Sequence, residues 1–146
     1  MRSLALAATR PSLAQTPGDM IMKVEEMMTK SIESVPAATS VNEVMKLMTK
    51  KSIRSVLVKP KDETDSFGII AVRDIFNKVL ARNIDPMKTS VADIATKPVI
   101  CVKRDMDVGQ LMSMMQSYNI ARVFVIDGPA IVGVVAMMDF LKAAVK

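Results

Sequence analysis

The sequence predicts an α+β fold: two tandem β-α-β-β-α repeats, packed sheet to sheet with pseudo-twofold symmetry. Three observations predict it: a repeat without gaps over most of its length, matching helix-start signals in both copies, and a β-branched run after each helix. A shift of 67 positions lays 24–58 over 91–125, and ten of those 35 pairs are identical, among them Val24/Val91, Thr29/Thr96, Met48/Met115 and Ile53/Ile120. Beyond a loop two residues longer in the first copy, the shift becomes 65 and aligns Gly68 with Gly133, Ala71 with Ala136 and Asp74 with Asp139.

The elements follow in order. Short β segments around 32–35 and 99–102 precede the first helix of each copy. Ser40 with Glu43, and Asp107 with Gln110, form capping boxes in which side-chain oxygens satisfy free N–H groups at a helix start. Apolar residues at helical spacing come next: Val41, Val44, Met45 and Met48, then Val108, Leu111, Met112 and Met115. The β-branched runs 55–59 and 122–126 read as strands. After a polar or Gly/Pro turn, 68–72 and 131–137 read as second strands.

A second helix starts near Asp74 or Asp139. Its expected buried side is Ile75, Phe76, Val79 and Leu80, or Phe140, Leu141, Ala144 and Val145. The pairs Met114/Met115 and Met137/Met138 are expected in the core or between copies, or else in a dimer contact. The first repeat spans 20–81 and the second 91–146, joined by a linker at 82–90 that holds Asp85-Pro86. A copy of about 55 residues is too small to bury both faces of its sheet, so the two are expected to share a core.

Half of the 146 residues are apolar and 24 % are charged, a balance that excludes a disordered chain. The apolar share is aliphatic, with 14 Met, four Phe, one Tyr and no Trp, so Met acts as an adaptable filler. The net charge of +5 falls to +3 without residues 1–18, which carry Arg2 and Arg10 and no acid. The other basic residues are interspersed with acids and make no nucleic-acid stripe; Lys50, Lys51 and Arg54 are the densest group.

A single Cys101 excludes an intramolecular disulfide, and the lack of His excludes a Cys/His zinc site, so no metal is expected. Cys101 falls mid-strand and reads as a buried, inert thiol. The apolar runs are shorter than the ~18 residues a membrane-spanning helix needs, and the chain reads as soluble. Residues 1–19 read as a mitochondrial targeting peptide, Arg-bearing, hydroxylated and acid-free, or as a flexible tail on a cytoplasmic protein.

Three blocks carry a resemblance: VEEMMTKSIESVP at 24–36, IRSVLV at 53–58 with IARVFV at 120–125, and GIIAVRD at 68–74 with GVVAMMD at 133–139. Together they resemble the CBS (cystathionine-β-synthase) domain, and residues 20–146 are similar to a stand-alone CBS pair, or Bateman module. The resemblance implies the α/β-type CBS fold, a disc-like homodimer, and clefts between the copies that bind AMP, ADP, ATP or S-adenosylmethionine as a regulatory ligand, with no cofactor required. By it, Asp74 and Asp139 would take ribose hydroxyls, because a carboxylate accepts two hydrogen bonds from a vicinal diol. Arg73 would pair with phosphate, with Arg54 or Arg122 assisting. Ile53 and Ile120 would wall an adenine pocket, the base being read by backbone groups near Ile32 and Ile100.

The sequence departs from the family pattern at the site. Ala71 and Ala136 stand three residues before each Asp, where Thr or Ser is common, so each site lacks a hydroxyl contact worth about 0.5–1.5 kcal/mol. Met138 stands opposite Arg73, which makes the Asp74 site the stronger of the two. The other reading of both Asp residues is that they cap helices. The function implied is a regulatory module that senses an adenosine-containing ligand and modulates a partner enzyme or transporter. The alternative is a ligand-free dimerisation or scaffolding subunit. An enzyme is not expected, since the chain has no His, no Gly-rich phosphate loop and no metal constellation.

Overall fold

The computed structural model describes residues 22–146, so the targeting-peptide or tail reading of 1–19 lies outside the described residues. In chain order their elements are α1 (Val24–Met27), β1 (Ser34–Val35), α2 (Val41–Lys51), β2 (Ser55–Val58), β3 (Gly68–Ala71) and α3 (Val72–Ile75). Then come β4 (Cys101–Lys103), α4 (Val108–Tyr118), β5 (Arg122–Asp127), β6 (Ala130–Ala136) and α5 (Met137–Ala144). The chain folds as two compact units: 32–99 is one, and 100–146 together with the described part of the N-terminal segment, 22–31, is the other.

In the unit 32–99, β2 is the central strand of three. It pairs parallel with β1 (Ser34↔Leu57) and antiparallel with β3 (Ser55↔Ala71, Val58↔Gly68). Helix α2 makes the crossover between the parallel strands, as that connection requires. Ser40 starts it by accepting the Glu43 N–H on Oγ at 3.1 Å, and Lys50 and Lys51 lie in its last turn, where the helix dipole favours cations. Ser52, in the left-handed region at φ 54, ends it.

The second unit repeats this plan. Here β5 pairs parallel with β4 (Cys101↔Phe124) and antiparallel with β6 (Arg122↔Ala136), and Gly128 at φ 61 turns the hairpin. Asp107 caps α4 by accepting the Gln110 N–H at 3.1 Å, and Asn119 at φ 54 ends it.

Each unit is completed by an arm from the start of the other repeat. The opening stretch of the second repeat, with Ser90 just ahead of it, stays with the first unit: Ser90 bridges to Ser40, and Thr96 bridges to Ile69 on the outer edge of β3. The segment holding α1 does the same for the second unit, with Lys23 bridged to Asp107 and Thr29 to Val134 on β6. Arg104 fixes this arm through Glu25 at 3.1 Å and also holds Asp127 at 2.8 Å. Each arm therefore covers a strand edge and supplies core residues.

Val91 and Ile94 join Val41, Val44, Met48, Val56, Val58, Ile70, Ile75 and Val79 in one buried cluster. Met22, Val24 and Met27 join Leu111, Met115, Val123, Val125, Val135 and Phe140 in the other. Each buried cluster thus takes residues from both repeats.

Several expectations need correction. The second helices begin at Val72 and Met137, ahead of Asp74 and Asp139, which occupy the third helical position. Only one stripe of each is buried: Ile75 and Val79 in one, and Phe140, with Ala143 packed partly against the cluster, in the other. Phe76, Leu80, Leu141, Ala144 and Val145 are exposed instead. A helix lying on one cluster offers it one side, and the neighbouring apolar stripe is left outside.

Met137 and Met138 are likewise exposed, whereas Met115 is buried and Met114 partly so. The first copy also differs in local winding. After α3 the chain makes a π turn, Phe76–Leu80, closed by the Ala81 N–H on the Phe76 carbonyl at 2.8 Å. Cys101 is the first residue of β4 and exposed rather than buried, though partial desolvation still pushes its thiol pKa up. Among the described residues no helix is long and apolar enough to cross a membrane.

Candidate ligand site

Both Asp residues are set by the same local chemistry. The residue before each helix is Ala71 or Ala136, which has no side-chain acceptor for the free N–H groups there. The carboxylate three positions on takes over that task. Asp74 Oδ2 accepts the Ala71 N–H at 2.8 Å, and Asp139 Oδ2 accepts the Ala136 N–H at 2.7 Å. This is the acidic half of a capping box, so the helix-capping reading describes one oxygen of each carboxylate.

The first-copy site holds a partner that the sequence reading missed. Lys78 Nζ lies 3.3 Å from Asp74 Oδ1 and also donates to the Ile94 carbonyl at 3.0 Å. The Asp74 side chain is 20 % exposed and that of Lys78 41 %, so the pair is open to solvent on one side. The i,i+4 spacing of acid and base was a usable signal for it.

Arg54 is beside this pair in the fold, because its carbonyl accepts the Val72 N–H at 3.0 Å, two residues before Asp74. Arg73 precedes Asp74 in the first turn, and both Arg side chains are exposed. Ile53 packs partly against the cluster of its unit, and Ile32 is half-buried ahead of β1.

The second site is built alike but with other side chains. The Ala121 carbonyl accepts the Met137 N–H at 3.1 Å, so Ala121 stands where Arg54 does. Arg122 lies one residue on, exposed at the start of β5 and paired with Ala136. Ile120 packs against its cluster as Ile53 does. Ile100 is exposed, and its carbonyl accepts the Phe124 N–H at 2.8 Å, the bond Glu33 makes to Leu57 in the first copy. Ile100 therefore matches Glu33 in the repeat, and Ile32 matches Val99. Ile32, Ile53, Arg54, Arg73 and Asp74 fall in one unit, and Ile100, Ile120, Arg122 and Asp139 in the other.

The sequence also gave no hint of a hollow of about 500 Å³ at the opposite end of β1 and β2, lined by Pro36, Ala38, Lys59, Lys61, Ser90 and Asp93. A shallow counterpart of about 510 Å³ lies by Lys23, Lys103, Asp105 and Gln110.

The sequence profile of the CBS domain matches residues 24–81 and again 91–146. The chain is a CBS-domain protein. It is 31 % identical over 113 residues to an uncharacterised protein of Methanocaldococcus jannaschii, covering 75 % of this chain and 60 % of that one. The hexameric CBS-CP12 protein of bloom-forming cyanobacteria has the same fold, with a TM-score of 0.74 and 30 % identity over 86 % of this CBS-domain protein and 69 % of that chain.

The CBS-domain protein thus spans less than two thirds of the length of that M. jannaschii relative. Two more distant relatives bear on function. One is the inosine-5'-monophosphate dehydrogenase of M. jannaschii, 26 % identical over 84 % of this chain but 23 % of the enzyme. The other is a mitochondrial CBS-domain-containing protein of Arabidopsis thaliana, 29 % identical over 73 % of this chain and 53 % of that one.

Proposed function

We propose that this CBS-domain protein is a regulatory module that binds an adenosine-containing ligand at Asp74 and modulates a partner enzyme or transporter. The observation that carries the reading is the anchored Asp74 carboxylate. One oxygen is fixed by the Ala71 N–H at 2.8 Å and the other faces Lys78 at 3.3 Å. A carboxylate offers about four lone-pair sites, so a diol has acceptors left to use, and their direction is already set. A ligand bound there controls a partner by binding two arrangements of the protein unequally.

The occurrence of a similar stretch within a dehydrogenase supports a role beside catalysis rather than in it. Turnover by the module itself is not part of this reading. The mitochondrial relative favours a mitochondrial over a cytoplasmic location for this protein.

A second reading, a ligand-free scaffold, is favoured by one observation. Val72 on α3 and Phe76 and Leu80 in the π turn after it, spaced by four, are exposed, and Met137 and Leu141 on α5 with Val145 just past its end repeat the spacing. Such stripes suit self-association, and a homodimer is compatible with either reading.

Thermal unfolding with AMP, ATP or S-adenosylmethionine separates the two. A ligand at 100 times its Kd stabilises the fold by about 2.7 kcal/mol. No shift with any of the three, in folded protein, would leave the scaffold. A shift that survives Asp74→Ala would place the site elsewhere.

A further inference from the structure

The repeat also equates the sheet ends that lie away from Asp74 and Asp139. A shift of 67 pairs Ala37 with Arg104 and Ala92 with Glu25, and two residues past the gapless stretch it pairs Pro60 with Asp127. The backbone makes the same pairing. Ala92 donates its N–H to the Ala37 carbonyl at 3.2 Å, and Glu25 donates to that of Arg104 at 3.0 Å. Val91 donates to the Thr39 carbonyl and Val24 to that of Met106, each at 2.8 Å.

In the second unit Arg104 spans this place. Its guanidinium reaches Glu25 on the arm at 3.1 Å and Asp127 at the end of β5 at 2.8 Å, which ties arm to sheet. In the first unit Ala37, Ala92 and Pro60 are too short for such a tie, and the hollow of about 500 Å³ lies against all three. Lys59 and Lys61 line it on the β2 side, Ser90 and Asp93 on the arm side.

The lining is chemically uneven. Lys59 and Lys61 stand where the second copy has Ile126 and Gly128, and among the described residues neither pairs with an acid. The N–H groups of Ala37 and Ala38 meet no protein acceptor among the described residues. On the other wall the Ser90 hydroxyl caps nothing, and the Asp93 carboxylate is exposed.

We propose that this hollow binds a small phosphate monoester with hydroxyl groups, its phosphate at Lys59 and Lys61 and its hydroxyls at Ser90 and Asp93. Two ammonium groups beside two free amides suit a phosphate, which carries about −1.5 to −2 charges at pH 7. Asp93 repels a bare anion but accepts hydrogen bonds from hydroxyls. The volume is that of a small-molecule site rather than of one ion. The bound compound ties the arm to the sheet as Arg104 does in the second unit. The site is separate from Asp74 and does not rest on the adenosine reading.

Calorimetric titration of the full chain with glycerol 3-phosphate, inorganic phosphate and glycerol tests this. Glycerol 3-phosphate is expected to bind more tightly than inorganic phosphate, and glycerol not at all. Lys59→Met and Lys61→Met should each weaken it about tenfold. Ala92→Glu, which brings in the carboxylate found at Glu25, should weaken it as well, and Asp74→Ala should leave it unchanged.

No binding of glycerol 3-phosphate by folded protein overturns the proposal, as does binding indifferent to both Lys variants. Inorganic phosphate held as tightly as glycerol 3-phosphate overturns it too, leaving only exposed lysines that attract any anion. Binding lost in Asp74→Ala moves the site to that carboxylate. Both Lys residues are exposed, and an unchanged far-UV circular dichroism spectrum separates lost binding from lost folding.

Discussion

Lys97 Nζ lies 3.0 Å from one oxygen of Asp65 and 3.1 Å from the other, with both side chains largely covered. Asp65 also accepts the Lys61 N–H at 2.9 Å. The Lys61 N–H, then Lys97, then the Ser66 N–H hold its pKa down from 3.8 to about 2. A carboxyl whose pKa is lower folded than unfolded stabilises the fold above about pH 4, and that contribution is lost as pH falls toward about 2. Asp65→Asn is therefore expected to flatten the loss of stability over this interval. Urea midpoints across the acid range check it, and slopes equal to those of the wild type would refute it.

Gly68 and Gly133 lie where each arm crosses the outer strand of its sheet. A Cβ on Gly68 would stand 2.9 Å from Lys97 Cγ and 3.2 Å from the Thr96 carbonyl oxygen, and Lys97 is tethered by Asp65. A Cβ on Gly133 would overlap Met28 Sδ and stand 2.7 Å from its Cγ. Each Gly→Ala change is expected to cost about 1–3 kcal/mol by overpacking. Met28→Ala should recover part of the loss in Gly133→Ala and none in Gly68→Ala, as a double-mutant cycle would read.

The helix-ending residues Ser52 and Asn119 both sit at φ 54, and only Asn suits that region well. Ser52→Gly is expected to stabilise the protein by about 0.5–1 kcal/mol, while Asn119→Ala should destabilise it by a similar amount. Denaturant titrations of the two variants give the signs directly.

The exposed stripes on the second helices make self-association measurable. Phe76 is 60 % and Leu141 61 % exposed, so a charge at either costs the monomer little. Phe76→Glu and Leu141→Glu are expected to shift sedimentation toward the monomer with unchanged far-UV circular dichroism. An unaltered mass would show that these helices do not carry the association.

The repeat offsets, the capping pairs Ser40–Glu43 and Asp107–Gln110 and the β-branched runs were legible in the sequence because they are local signals. The exchange of arms was not, and the repeat itself is the reason. Val24 and Val91 are the same residue at the same place in their copies, so each suits either sheet. Long-range pairings such as Thr29 with Val134, and Thr96 with Ile69, decide which sheet each arm joins, and such contacts leave no periodicity.

The second helices show another limit. Their two apolar stripes differ little in hydropathy, and packing chose Ile75 and Phe140 over Phe76 and Leu141. At the site, Asp74 and Asp139 stood out by motif. Lys78 stands at plain helical spacing from Asp74, but an acid and a base four residues apart mark a solvated helix face as readily as a site.

The crossed arms also set an order of events during synthesis. Every piece of the unit 32–99 has left the ribosome before the last strands of its neighbour exist. The arm 22–31, made before either sheet, has no sheet to join until 100–146 follows. At roughly 5–20 residues per second it waits for several seconds with Val24 and Met27 uncovered. In that interval the nascent chain offers Val24 and Met27 to chaperones, or to the edge of β3 that Thr96 has yet to claim. The segment that completes the unit 100–146 is thus made well before the strands it covers.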